Sequence, residues 1–310
     1  MRVVITNPAA NPRLCLSEAP RPEPAPDQAL IKVEAFSLNA GEVRRAMEAT
    51  DAYVPGWDFA GVVERAADDG GTPPAGTRVY GFVPQGSWAE YVTASASMIA
   101  EIPDGVGAAE AAALPVAAVT ALASLQSAGP LLGRRVLITG AAGGVGRYAC
   151  RLADLAGARV FAVSRRPDLP KRLREDGIAA PTVFTTMAEA RQAGRYDVIL
   201  DGVGGDFLAT ALAALAPDGV CVSFGNGSGR PAAFDPVDFY RTPGARLQGL
   251  WLGNFMTADC SPMLRRLAGL VAEGRLRPPI DDVLPWTDIA DAAERLVGQS
   301  VDGKLVLTVR

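Results

Sequence analysis

The stretch Arg135-Val-Leu-Ile-Thr-Gly140-Ala-Ala-Gly143-Gly144-Val145-Gly146, continued by Arg147-Tyr-Ala-Cys-Arg-Leu-Ala-Asp-Leu-Ala-Gly-Ala158, decides the fold of this 310-residue chain. A short β-branched run enters a glycine cluster and a helical pattern leaves it: the strand, tight turn and helix of a dinucleotide-binding βαβ unit. Glycine answers a physical need here. Without Cβ atoms at Gly143 and Gly144 the backbone approaches a pyrophosphate, and Gly146 lets the helix pack closely on the strand. The helix N-terminus adds N–H donors and a positive dipole for the anion.

A second strand, Arg159-Val-Phe-Ala-Val163, follows at the distance one helix requires, and Ser164-Arg165-Arg166 comes after it. An NAD-type site places Asp or Glu at that point to accept from the ribose hydroxyls. A carboxylate would repel a 2′-phosphate, whereas a hydroxyl and two guanidiniums hydrogen-bond and neutralise one. NADPH is therefore the expected cofactor. The rival reading leaves Arg165 and Arg166 as charges solvating a loop before Pro167.

Further strands are expected at 182–185, 197–200, 220–224 and 247–252, alternating with helices, so the reading is an α/β chain with a six-stranded, doubly wound parallel sheet and its ligand at the carboxyl ends of the strands. Toward the N-terminus the character changes. Runs such as Arg2-Val-Val-Ile5, Ala29 to Phe36, Gly76-Thr-Arg-Val-Tyr80-Gly-Phe82 and Gly86-Ser-Trp-Ala-Glu90-Tyr-Val92 are separated by closely spaced turns, the pattern of a compact antiparallel or barrel-like β domain. The segment Ala19 to Pro26 is read as a loop inside that domain, with a polyproline recognition ligand as the alternative. Ala108 to Leu125 has helical composition. After Gly253 come helices over 263–273 and 288–297 and a closing strand over 304–309, which needs the N-terminal sheet as host. The expected division is a discontinuous β-rich domain, 1–117 with 254–310, and a nucleotide domain, 118–253.

The composition, 49% hydrophobic and 21% charged with net charge −4, is that of an ordinary globular protein and offers no general basic field for nucleic acid. The longest apolar run is interrupted by Pro115 and too short to span a bilayer, and the first residues lack a signal-peptide core, so a cytoplasmic location is expected. The chain has no histidine and four scattered cysteines, Cys15, Cys150, Cys221 and Cys260. No metal site is expected from such a set, and proton transfer must use another group or water.

Taken together, Ser37-Leu-Asn39, Pro55-Gly56-Trp57-Asp58-Phe-Ala-Gly61, Gly76-Thr-Arg-Val-Tyr80-Gly, Gly86-Ser-Trp-Ala-Glu90-Tyr, Pro115 through Leu122, Gly140 to Gly146 and Gly303-Lys304-Leu-Val-Leu resemble the medium-chain dehydrogenase/reductase superfamily. Within it the chain is similar to the zinc-independent quinone oxidoreductases and enoyl reductases. The resemblance implies a GroES-like substrate domain beside the Rossmann domain. Where zinc-dependent members carry Gly-His-Glu, this chain has Gly56-Trp57-Asp58, and the matching cysteine position falls in Leu38-Asn39-Ala40. The resemblance places Asn39 and Thr120 near the nicotinamide, Gly143, Gly144, Val145 and Gly146 at the pyrophosphate, and Ser164 with Arg165 at the 2′-phosphate. It places Val203, Gly225 and Asn226 along the adenosine-to-nicotinamide edge and Leu252 beside the carboxamide, and it implies a homodimer. The plainer readings make Asn39 a turn residue, Thr120 a helix-interior residue and Lys304 an edge-strand charge whose stem covers the sheet.

The reaction that fits is hydride transfer from NADPH to a quinone or to the C=C bond of an α,β-unsaturated carbonyl, acceptors that stabilise their own developing charge. Tyr53 is the candidate proton donor, against the reading that it packs its loop; Tyr240, expected in a loop, is a weaker one. A pathway-specific enoyl reductase and a non-catalytic NADPH-binding protein are the alternatives.

Overall fold

A computed structural model describes residues 1–309, except for the side chains of Leu252, Met256 and Thr257. It divides into two compact units, Met1–Val119 with Gly253–Arg310, and Thr120–Leu252.

In the first unit β1 (Arg2–Thr6) and β2 (Leu14–Glu18) form an antiparallel pair. The larger sheet takes β3 (Gln28–Ser37), then, after α1 (Ala40–Met47), β4 (Asp58–Arg65), β5 (Arg78–Phe82), β6 (Tyr91–Ser95) and β7 (Ile99–Glu101). Alternation is plain in β3, where Ile31, Val33 and Ala35 are buried while Lys32 and Glu34 are exposed. The alanine-rich segment is two helices, α2 (Ala108–Ala112) and α3 (Pro115–Ser127). The break falls at Pro115, whose fixed φ and missing N–H suit the first position of a new helix.

The second unit runs β8 (Arg135–Ile138), α4 (Gly144–Leu155), β9 (Arg159–Val163), α5 (Leu169–Glu175), β10 (Thr182–Phe184), α6 (Met187–Gln192), β11 (Tyr196–Asp201), α7 (Gly205–Ala213), β12 (Leu215–Ser223), α8 (Pro236–Tyr240) and β13 (Arg246–Gly249). The strands lie in the order β10-β9-β8-β11-β12-β13, every neighbouring pair parallel. This is the doubly wound sheet expected from the sequence, and its order reverses between β8 and β11. Leu137, Phe161, Tyr196, Ile199 and Cys221 fill one side of it. The last strand ends at Gly249, short of the expected 252, and Tyr240 ends a short helix where a loop was expected.

The chain then returns to the first unit with α9 (Ser261–Ala272), β14 (Ile280–Pro285), α10 (Ile289–Val297) and β15 (Lys304–Thr308). β15 pairs antiparallel with β3 and parallel with β14. The sequence reading missed β14, because Pro278-Pro279 and the acidic pair Asp281-Asp282 interrupt the apolar alternation that announces a strand. Trp88, Trp286, Phe36 and Phe59 are fully buried in this unit's core, with Phe36 stacked on Trp88 at 5.9 Å.

Candidate active site

In the second unit the glycine turn is built as its sequence demands. Gly140 has φ +60°, a left-handed conformation that disfavours side chains. A Cβ on Gly146 would lie 2.4 Å from the Gly140 carbonyl oxygen, so only glycine lets α4 sit against the turn. Gly143 is the N-cap of α4, and the first turn of that helix, which includes Gly144 and Val145, carries no acidic side chain. Gly143 is exposed and Gly144 and Val145 are half-buried. An anion at this helix end meets N–H donors and an uncompensated dipole.

Neighbouring strand ends complete this rim. Ser164 follows β9, and its hydroxyl accepts the Arg166 N–H at 3.1 Å. Arg165 is exposed and Arg166 half-buried, and no carboxylate stands directly after β9 before Asp168. Beyond β11, Val203 Cγ2 would be 3.2 Å from a Cβ on Gly140, so Val203 packs on the glycine turn. The Gly202–Gly204 and Phe224–Ser228 segments are tied by Gly227 N–H to the Gly202 carbonyl (3.0 Å) and Ser228 N–H to the Val203 carbonyl (2.8 Å), with Gly225 and Asn226 exposed between them. Ser164, Arg165, Arg166, Val203, Gly225 and Asn226 thus join the glycines at the carboxyl edge of one sheet. Thr120 is buried on α3 and its carbonyl accepts the Ser124 hydroxyl at 2.7 Å. Leu252 lies outside the described residues.

Two residues the sequence reading passed over hold this edge. The fully buried Asp201 carboxylate accepts from the Thr139 hydroxyl at 2.6 Å and from the Gly204 N–H at 2.9 Å. Burial pushes its carboxyl up, against those hydrogen bonds. The available signal was an acidic residue at a strand end directly before Gly-Val-Gly.

In the first unit, Asn39 belongs to a buried polar cluster. The Asp58 carboxylate, with no exposure, accepts on Oδ2 from Ser37 Oγ (2.6 Å), Asn39 Nδ2 (2.8 Å) and Lys304 Nζ (3.2 Å), and on Oδ1 from the Val116 N–H (2.9 Å). Lys304 is not the edge-strand charge anticipated: β15 has a neighbour on each side, and the Lys304 side chain is 3% exposed. Glu42, in the first turn of α1, reaches back to the Asn39 N–H at 2.8 Å, the helix-capping contact of an acidic N3 residue. Burial first, and Asp58 second, raise its carboxyl to about 8, with Lys304 and Asn39 opposing. Glu42 Oε2 is buried with no partner.

Tyr53 is half-buried at the edge of an open pocket of about 510 Å³, shared with Arg44, Arg45, Glu48 and Asp51. Burial raises its phenol, and the Arg45 guanidinium, 5.9 Å from the ring centroid, opposes that. Tyr240 is 68% exposed at the end of α8. Among the described residues no three His, Cys, Asp or Glu side chains gather to hold a metal ion, and no helix is long and apolar enough to cross a membrane.

Residues 25–104 match the alcohol dehydrogenase GroES-like domain family and residues 177–307 the zinc-binding dehydrogenase family. The chain is 30% identical over 326 residues to a mycocerosic acid synthase-like polyketide synthase of Mycobacterium tuberculosis, covering all of this chain and 15% of that protein. It thus spans about 15% of the length of the polyketide synthases it matches. It is 29% identical to the chloroplastic quinone-oxidoreductase homolog of Spinacia oleracea, over 92% of this chain and 91% of that one. Among solved structures, the quinone oxidoreductase of Coxiella burnetii superposes with a TM-score of 0.85 at 28% identity, covering 100% of this chain and 99% of that one. The quinone oxidoreductase of Thermus thermophilus, solved also in complex with NADPH, superposes with a TM-score of 0.83 at 27% identity, covering 100% of both chains.

Proposed function

The chain belongs to the medium-chain dehydrogenase/reductase superfamily, on the side of its zinc-independent quinone oxidoreductases and enoyl reductases, and from this premise we propose that it reduces a quinone or the C=C bond of an α,β-unsaturated carbonyl with NADPH. The observation that carries the reading is the end of β9, where Ser164-Arg165-Arg166 stands beside the glycine turn in place of a ribose-binding carboxylate. The likeness to the quinone oxidoreductase solved with NADPH supports the same cofactor.

The residues fit that nucleotide. The free N–H groups of the first turn of α4, at Gly144 to Gly146, would hold the pyrophosphate, Ser164, Arg165 and Arg166 the 2′-phosphate, and Val203, Gly225 and Asn226 the edge toward the nicotinamide, while Gly143 donates within the turn to the Gly140 carbonyl. When bound, NADPH supplies the hydride, and the protein supplies orientation, exclusion of water and hydrogen-bond donors. Tyr53, protonated at neutral pH like any tyrosine, would offer a hydrogen bond toward the oxygen on which charge develops; burial, which raises its phenol further, makes it a weaker acid rather than a stronger one. We assign the working form as a homodimer.

A second reading, a pathway-specific enoyl reductase, draws support from the likeness to polyketide synthases along the whole chain. One experiment tests both: NADPH and NADH consumption against a panel of ortho- and para-quinones, cyclic enones and linear enoyl thioesters, with products identified. Quinone turnover supports the first reading and selective saturation of an enoyl thioester the second. A cofactor that stays reduced across the panel defeats both and leaves a nucleotide-binding protein.

A further inference from the structure

Every hydrogen on the Asn39 side chain is already committed. Lysine carries donors and no acceptor, so the Asn39 atom 2.6 Å from Lys304 Nζ is the carbonyl oxygen, and the amide orientation follows without ambiguity. The two hydrogens of Nδ2 then go to Glu42 Oε1 at 2.9 Å and Asp58 Oδ2 at 2.8 Å. The remaining donors of Lys304 go to the Leu38 carbonyl at 2.9 Å and to Asp58 at 3.2 Å. The groups that meet here lie on β15, β4, α1 and the segment joining β3 to α1.

We propose that Lys304 is a positioning residue: its buried ammonium, with Asp58 and Glu42, locks the Asn39 amide so that it offers a bound molecule one acceptor lone pair and no donor. A group that docks on Asn39 must bring its own hydrogen, as a hydroxyl or an amide N–H does. The oxygen of the electron acceptor must find its donor elsewhere. The functional half of this inference rests on the reductase reading; the lock itself does not.

The test has two arms. In the first, the side-chain amide of Asn39 is followed by 15N NMR, assigned with an Asn39→Ala sample. The wild-type Hδ2 pair is expected to exchange with water more slowly than those of exposed asparagines, and Lys304→Met should speed that exchange. Fast exchange in the wild type, or unchanged protection in Lys304→Met, overturns the proposal. Because removing one buried charge strands the other, Asp58→Asn/Lys304→Met is measured beside it, neutral in both partners and expected to melt near the parent.

In the second arm, that double variant is expected to lose about 10- to 100-fold in kcat/KM, the scale of a misplaced contact, and to bind NADPH more weakly in a fluorescence titration. A folded double variant with parental kcat/KM and nucleotide affinity overturns the positioning role. If the wild type turns over no acceptor, the reductase reading fails while the exchange and binding measurements still decide the lock.

Discussion

The Thr139 hydroxyl donates to the Asp201 carboxylate across 2.6 Å, joining the ends of β8 and β11 where the sheet order reverses. Asp201→Ala would leave that hydroxyl and the Gly204 N–H without their acceptor, at about 1–3 kcal/mol for each polar group stranded in a buried place. Because these contacts shape the turn rather than read the 2′-phosphate, titration should show NADPH and NADH weakened alike. Loss confined to NADPH would refute this role.

Arg165 and Arg166 make the opposite prediction. Replacing both with Ala should weaken NADPH by roughly 1–3 kcal/mol per lost charge-assisted contact and leave NADH nearly untouched. Equal losses would return these guanidiniums to loop solvation.

Glu42 ties stability to pH. Its carboxyl ordinarily titrates near 4.5 and is raised in the fold to about 8, so the folded state holds the proton more tightly than the unfolded chain. The stabilisation is complete below about 4.5 and is lost as pH rises through about 8. Wild-type melting temperature should therefore fall between pH 5 and pH 8 by more than that of Glu42→Gln, whose amide is neutral at every pH in this range. Parallel curves for the two proteins would show that Glu42 does not titrate in this window.

β13 is an edge strand, and Leu247 on it and Trp251 just beyond it are 43% and 72% exposed. An unpaired edge flanked by large apolar side chains invites a second copy of the same chain. Light scattering should give a dimer for the wild type and a monomer for Leu247→Lys/Trp251→Lys, whereas a monomeric wild type would remove the dimer assignment.

What the sequence disclosed was whatever rests on local pattern. The six strands of the second unit carry short apolar runs between helical ones, and the glycine turn carries its own steric logic, so both were readable within a window of some thirty residues. The Asp58, Lys304, Asn39 and Glu42 cluster was not. Lys304 lies 246 residues from Asp58 and 265 from Asn39 along the chain, and nothing in Gly-Lys-Leu-Val-Leu distinguishes a buried ammonium from a solvated one. Glu42 resembled an ordinary helix-start carboxylate, which it also is; its burial comes from packing that no local pattern encodes. β14 was hidden by its acidic and proline neighbours.

The place of β15, between β14 and β3, bears on how the protein is made. The second unit has all its strands once residue 249 has been synthesised, and it can close while translation continues. The first unit, begun earlier, must keep the Ala35–Ser37 end of β3 without its β15 partner and the Asp58 carboxylate without its ammonium until residues 304–308 leave the ribosome. The order of birth and the order of completion of the two units are reversed, and the unit begun earlier is the one that waits, in need of protection from premature pairing.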